Sequence, residues 1–226
     1  MIMCRTFFYV NQINNYGRNM QYFLKNIAKK LVFGSILIYN YKVIRVKEEI
    51  YMVTLDKIYH ASYVLKDVVI PTPLVKATAI SDDCEVYLKP ENLQITGSFK
   101  VRGSGYKISQ LTEEEKKRGV IACSAGNHAQ GVALAATKYG IKSLICLPDG
   151  APISKVEATK GYGAEVCMVP GVYDDAYNKA CELRDEHNYT FIHPFDDENV
   201  IAGQGTIGIE ILEELPDADA VGFGIG

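Results

Sequence analysis

From Glu85 onward, apolar runs of four or five residues alternate with longer stretches of mixed character, and this alternation limits the fold more than any other feature of the chain. Runs such as Val120-Ile-Ala-Cys123 and Leu144-Ile-Cys146 are too short for buried helices and have no polar face, so they read as strands covered on both sides. The pattern predicts strands over 85–89, 120–123, 143–147, 165–169, 190–193 and near 220–225. Helices are predicted over 98–111, 127–139, 154–160, 173–188 and 204–215, and Thr112-Glu-Glu-Glu115 is a capping-box signature that opens a further short one. The expected class is α/β, with doubly wound parallel sheets. Ligands of such sheets sit at the carboxyl ends of strands, so a polar or glycine-rich loop directly after a strand is a candidate site.

The first fifty residues do not share this pattern. Met1 to Lys47 contains no acidic residue, and residues 1–51 hold eight Lys/Arg against two acidic residues. Residues 52–226 hold sixteen against twenty-five, a net −9, which leaves no basic footprint for nucleic acid. The apolar run Leu31–Tyr39 is nine residues long, whereas a membrane-spanning helix needs about 20. Residues 1–51 are therefore expected to be an extension without function, with the working start at Met52. A helix-compatible stretch then runs to about Leu65 and is broken at Pro71-Thr-Pro73. The six cysteines fall singly, mostly inside apolar runs, with no spacing that suits a metal. They read as reduced, buried thiols of a cytoplasmic protein.

Two loops follow predicted strands. Thr96-Gly-Ser-Phe-Lys100-Val-Arg-Gly103 places Lys100 at the start of a helix, where the dipole disfavours its charge and favours the neutral amine that Schiff-base chemistry needs. Taken alone, Lys100 is one of sixteen Lys/Arg in the body and reads as solvated. Ser124-Ala-Gly-Asn-His-Ala-Gln-Gly131 brings small residues and successive N–H groups to a helix N-terminus, an arrangement that receives carboxylate or phosphate. The bland alternative is a glycine turn with Asn127 as a cap. His128 by itself reads as a hydrogen-bonded core histidine.

Together these two blocks closely resemble the pyridoxal-phosphate enzymes of the serine/threonine dehydratase family. Pro71-Thr-Pro-Leu74, Tyr87-Leu-Lys-Pro-Glu-Asn92, Pro194-Phe-Asp-Asp197 and Gly203-Gln-Gly-Thr-Ile-Gly208 extend the match in order, over about Thr54 to Ala220. The resemblance implies a two-domain core like that of the tryptophan synthase β-like, fold-type II enzymes. Residues 52–95 and 195–226 would belong to a large cofactor domain, and 96–194 to a small α/β domain. It also implies pyridoxal 5′-phosphate as cofactor, no metal, an amino-acid substrate and a homo-oligomer. Lys100 would form the covalent link to the cofactor and move the substrate's α-proton, Phe99 would pack beside the ring, and Asn127 would hydrogen-bond its 3′ oxygen. Ser124, Ala125, Gly126, Asn127 and His128 would receive the substrate carboxylate.

The same resemblance predicts conversion of L-threonine to 2-oxobutanoate and ammonia, with L-serine giving pyruvate. Serine racemases share the lysine and the loop but carry Ser where this chain has Ala125, and sulfhydrylases usually read Thr-Ser-Gly-Asn-Thr there. Relatives continue into a tetraglycine phosphate loop, of which Gly226 would be the first residue. The chain as written is expected to bind cofactor weakly and to turn over poorly, if at all, the alternative from another class being a catalytically inactive truncated fragment. Catabolic relatives bind AMP at positions matching Ile95-Thr96 and Gln130, and an acidic residue some of them use is Gly161 here, so a weak AMP response is expected.

Overall fold

The structure, a computed structural model, describes residues 4–9, 53–80 and 84–223. Its elements in chain order are β1 (Cys4–Tyr9), α1 (Leu55–Leu65), β2 (Val75–Lys76), β3 (Cys84–Lys89), α2 (Lys100–Ser109), α3 (Glu113–Arg118), β4 (Val120–Cys123) and α4 (Asn127–Lys138). They continue with β5 (Ser143–Pro148), α5 (Ile153–Gly161), β6 (Glu165–Val169), α6 (Tyr173–His187), β7 (Thr190–Phe191), α7 (Glu198–Glu214) and β8 (Ala220–Phe223). A single 3-10 turn, Glu91–Leu93, follows β3.

The strands form two sheets of four. One, ordered β6-β5-β4-β7, is parallel throughout. Its alternate residues serve opposite faces, as strand geometry requires. Val120, Ala122, Ile145 and Leu147 join a core shared with Ala129, Val132 and Val156 of α4 and α5, while Ile121, Cys123 and Cys146 pack with Ala176 and Ala180 of α6. The expected covering of a parallel sheet on both faces is thus realised here.

The other sheet, ordered β2-β3-β1-β8, is mixed, because the two-residue β2 runs antiparallel to β3. It contains the strand of residues 4–9, which pairs in parallel with both β3 and β8. Cys4–Tyr9, within the stretch expected to be an extension, thus supplies a strand to this sheet. Composition gave no period over the segment, but a six-residue strand needs only a place in a hydrogen-bonding ladder. Residues 10–51, with the Leu31–Tyr39 run, lie outside the described residues, as does Gly226.

Most predicted boundaries fall within two residues of those observed. The capping box at Thr112 forms, with Thr112 Oγ1 accepting from the Glu115 N–H at 3.3 Å. The largest difference is α7, which begins at Glu198 and not at residue 204. Its N-cap is Asp197, whose carboxylate accepts from the N–H groups of Asn199 and Val200 at 2.8 and 3.2 Å. That cap lets the helix run through the glycines of Gly203-Gln-Gly205, which propensity alone discourages.

Those glycines are needed because α2 lies between α4 and α7 at close range. A Cβ on Gly131 of α4 would stand 2.8 Å from Ser104 Oγ and 3.1 Å from the carbonyl carbon of Lys100. A Cβ on Gly203 of α7 would strike the Arg102 carbonyl oxygen, and one on Gly103 would stand 2.9 Å from Val200 Cγ1. The missing side chains let the backbones approach and fix the start of α2 from both flanks.

Candidate active site

Three loops leave the carboxyl ends of neighbouring parallel strands: Ser124–Gly126 after β4, the turn into α5 after β5, and His193–Asp197 after β7, the last of which reaches Lys100 at the start of α2. Lys100 is the first residue of α2, and its backbone N–H donates to Ser98 Oγ at 3.3 Å. Its side chain is half-buried, and Nζ donates to the Pro194 carbonyl at 3.0 Å. The same nitrogen lies 5.2 Å from the centroid of the Phe99 ring. Burial pulls the Lys100 amine below the usual lysine range. The direction is the one the sequence implies, with desolvation as its cause.

The Ser124 loop is stitched down by its own polar groups. The Ser124 N–H donates to the Cys146 carbonyl of the neighbouring strand at 3.2 Å, and Ser124 Oγ accepts from the Gly126 N–H at 3.2 Å. Gly126 borders open space, since a Cβ there would meet nothing within 4 Å. Asn127 then opens α4, and a helix start leaves its first N–H groups without intrahelical acceptors. Asn127 Oδ1 accepts from Lys155 Nζ of α5 at 2.7 Å.

His128 belongs to the loop by sequence, and its ring is turned into the interior. It is buried, and Nε2 lies 2.9 Å from the Ile192 carbonyl. A carbonyl only accepts, so Nε2 carries the proton. Burial lowers its pKa to about 4, against the opposing pull of the Ile192 carbonyl, so the ring is neutral and pins α4 to the chain beyond β7. Thr96 and Gln130 are both buried. Thr96 Oγ1 donates to the Ser98 carbonyl at 3.3 Å, and Gln130 Nε2 has no hydrogen-bond partner among the described residues.

Sequence reasoning missed two participants. The Pro194 carbonyl could be inferred only as part of a motif, since any residue supplies a carbonyl. Lys155 had a usable signal: Pro152-Ile-Ser-Lys155 enters a helix directly after a strand, the position where ligands are expected. A cavity lined by Ser62, Lys66, Arg102, Glu210 and Glu213 contains none of the predicted site residues. Arg102, at its wall, has no donor left to offer, because Glu91, Glu210 and Thr206 take up its N–H groups.

The donor set fits pyridoxal phosphate. A half-buried amine whose charge is disfavoured can bond a carbonyl carbon, an aromatic ring flanks it, and an amide and a helix N-terminus stand at the neighbouring strand end for anionic oxygens. The fold is that of an α/β enzyme, with residues at its strand ends that fit a carbonyl cofactor. The chain belongs to the pyridoxal-phosphate dependent enzyme family, whose model matches residues 65–226. Pyridoxal phosphate is the cofactor of that family.

Over 177 residues the chain is 50% identical to the L-threonine ammonia-lyase of Thermotoga maritima, covering 77% of this chain and 44% of the relative. It is 47% identical over 176 residues to the catabolic L-threonine dehydratase TdcB of Escherichia coli K12, with 77% and 54% covered. Maize serine racemase superposes with a TM-score of 0.72 at 34% identity, covering 75% of this chain and 52% of that one. The chain spans about half the length of the curated relatives it matches.

Proposed function

We propose that this chain carries the cofactor-holding half of an L-threonine ammonia-lyase, which releases ammonia from L-threonine to give 2-oxobutanoate and acts on L-serine to give pyruvate. The observation that carries the reading is the half-buried Lys100 amine, held by the Pro194 carbonyl beside the start of α4, in a chain 50% identical over 177 residues to a threonine ammonia-lyase. Lys100, Phe99 and Asn127 would hold the cofactor, and Gly226 would begin the loop for its phosphate. When bound, pyridoxal phosphate supplies an electron sink for the negative charge left at the substrate's α-carbon.

The protein's own groups do the rest. The helix start at Asn127 and His128 receives the substrate carboxylate through backbone N–H groups, and Ser124 holds that loop in place. Lys100 Nζ takes the α-proton, a task suited to an amine whose protonated form is disfavoured by burial. The Phe99 ring helps to keep water from that nitrogen. We read residues 96–194 as a small domain that carries the substrate loop, and we place the protein in the cytoplasm as a homo-oligomer with reduced thiols.

The likeness to maize serine racemase favours a second reading, and Ala125 separates the two. Inversion at Cα needs a proton donor on the face opposite the lysine, and a methyl group carries no such proton. Chiral chromatography of the reaction with L-serine tests this on a chain that continues through the phosphate loop. The expected products are pyruvate with almost no D-serine, and Ala125→Ser raises racemisation relative to elimination. D-serine formed by the unaltered protein as fast as pyruvate would replace the lyase reading with the racemase.

A further inference from the structure

We propose that Lys155 is a positioning residue that sets the orientation of the Asn127 amide and places a positive charge behind it. The inference rests on the reading of Lys100 and Asn127 as cofactor-holding residues and adds to it a residue from a third loop. An asparagine amide can present either its oxygen or its nitrogen to a ligand, and the two differ only by rotation about χ2. An ammonium has donors and no acceptor, so the 2.7 Å contact with Lys155 Nζ commits Oδ1 to the lysine and leaves Nδ2, with both its N–H groups, for anything else. Asn127 is thereby made a donor toward a bound anionic oxygen.

Lys155 is itself fixed. Its carbonyl accepts from Thr159 Oγ1 at 2.8 Å, and the adjacent Val156 and nearby Thr159 are buried, which seats the first turns of α5 against the core shared with α4. The side chain is half-buried, so its charge is less screened than that of a surface lysine. Asn127 already stands at the positive end of the α4 dipole, and Lys155 adds a full charge of the same sign. Both favour a negatively charged oxygen opposite Asn127.

The test uses the full chain with Lys155→Met, Lys155→Arg and the unaltered residue. In the cofactor-free protein, the Asn127 side-chain amide resonance is expected to move in Lys155→Met, while the backbone spectrum elsewhere is retained. It returns toward its original position in Lys155→Arg. Affinity for pyridoxal phosphate, followed by fluorescence titration, falls about tenfold in the methionine variant, as expected for loss of a charge-assisted hydrogen bond. The pH at which the bound chromophore titrates rises, because a positive charge that favoured the deprotonated form is gone. Should Lys155→Met not fold, Lys155→Gln carries the same measurements. An Asn127 resonance that stays put, or an unchanged titration and affinity, overturns the proposal. The amide resonance is read without cofactor, so it reports on Lys155 even if Lys100→Ala were to leave cofactor binding intact and sink the underlying reading.

Discussion

Lys100 and Arg102 stand two residues apart on α2, and their surroundings treat positive charge in opposite ways. Arg102 is fully buried, yet its guanidinium donates to Glu91 at 2.8 and 2.7 Å, to Glu210 at 2.5 and 2.9 Å, and to Thr206 at 3.1 Å. Burial works against its charge, but the hydrogen bonds of Glu91 and Glu210 outweigh that and raise its pKa further. Lys89, also buried, donates to the Thr72 carbonyl and pairs with Glu210 at 2.7 Å, so the end of β3, the first turn of α2 and the middle of α7 share one ion network. Among the described residues Lys100 Nζ meets a neutral carbonyl as its hydrogen-bond acceptor, and its charge is disfavoured. The cation that holds three elements together is given carboxylates, whereas the one proposed to lose its proton meets a neutral carbonyl.

The largest effect expected from breaking this contrast is at Lys100. In a chain that continues through the phosphate loop, Lys100→Ala removes the visible absorption of the bound cofactor and lowers turnover by about 10²–10⁴-fold, the usual contribution of a positioned acid–base group. A variant that kept both colour and rate would place the reactive amine elsewhere.

Arg102→Met tests the opposite arm. It leaves Glu91 buried beside Thr72 with no cation, so denaturant unfolding should show a loss of about 3–5 kcal/mol. Adding Glu91→Gln removes the stranded charge and should restore part of that stability. If the single variant lost nothing, the network would not be what holds α2 to β3.

His128 sharpens the comparison as a second group that burial keeps neutral. Its folded pKa of about 4 lies below the unfolded value of about 6.5, so between these limits the unfolded chain binds more protons. The stability it contributes is complete above pH about 6.5 and is lost as pH falls toward about 4. The loss amounts to at most roughly 3 kcal/mol. His128→Asn should flatten that slope in urea titrations across the same window, and an unchanged slope would assign the pH dependence to other groups.

The parallel sheet was legible because its central strands β4 and β5 are buried on both faces and alternate with helices, so composition and spacing carry the signal over 120–191. The mixed sheet was less so. β2 is two residues long, and β1 sits in a segment without period, so only the ladders to β3 and β8 reveal them. At the site, Lys100, Phe99 and the Ser124–His128 loop could be picked out as motifs, because residue type and order are properties of the chain itself.

What those residues do to one another belongs to the tertiary structure. The sequence by itself determined the α/β class, the family resemblance and the lysine. Only the folded arrangement decided that Lys100 meets the Pro194 carbonyl 94 positions away, that the His128 ring turns inward to Ile192, and that Lys155 reaches Asn127. Periodicity and motif are local and survive in one dimension. A pKa or an amide's orientation depends on desolvation and on partners brought together from distant loops, and those exist only once the strand ends have converged.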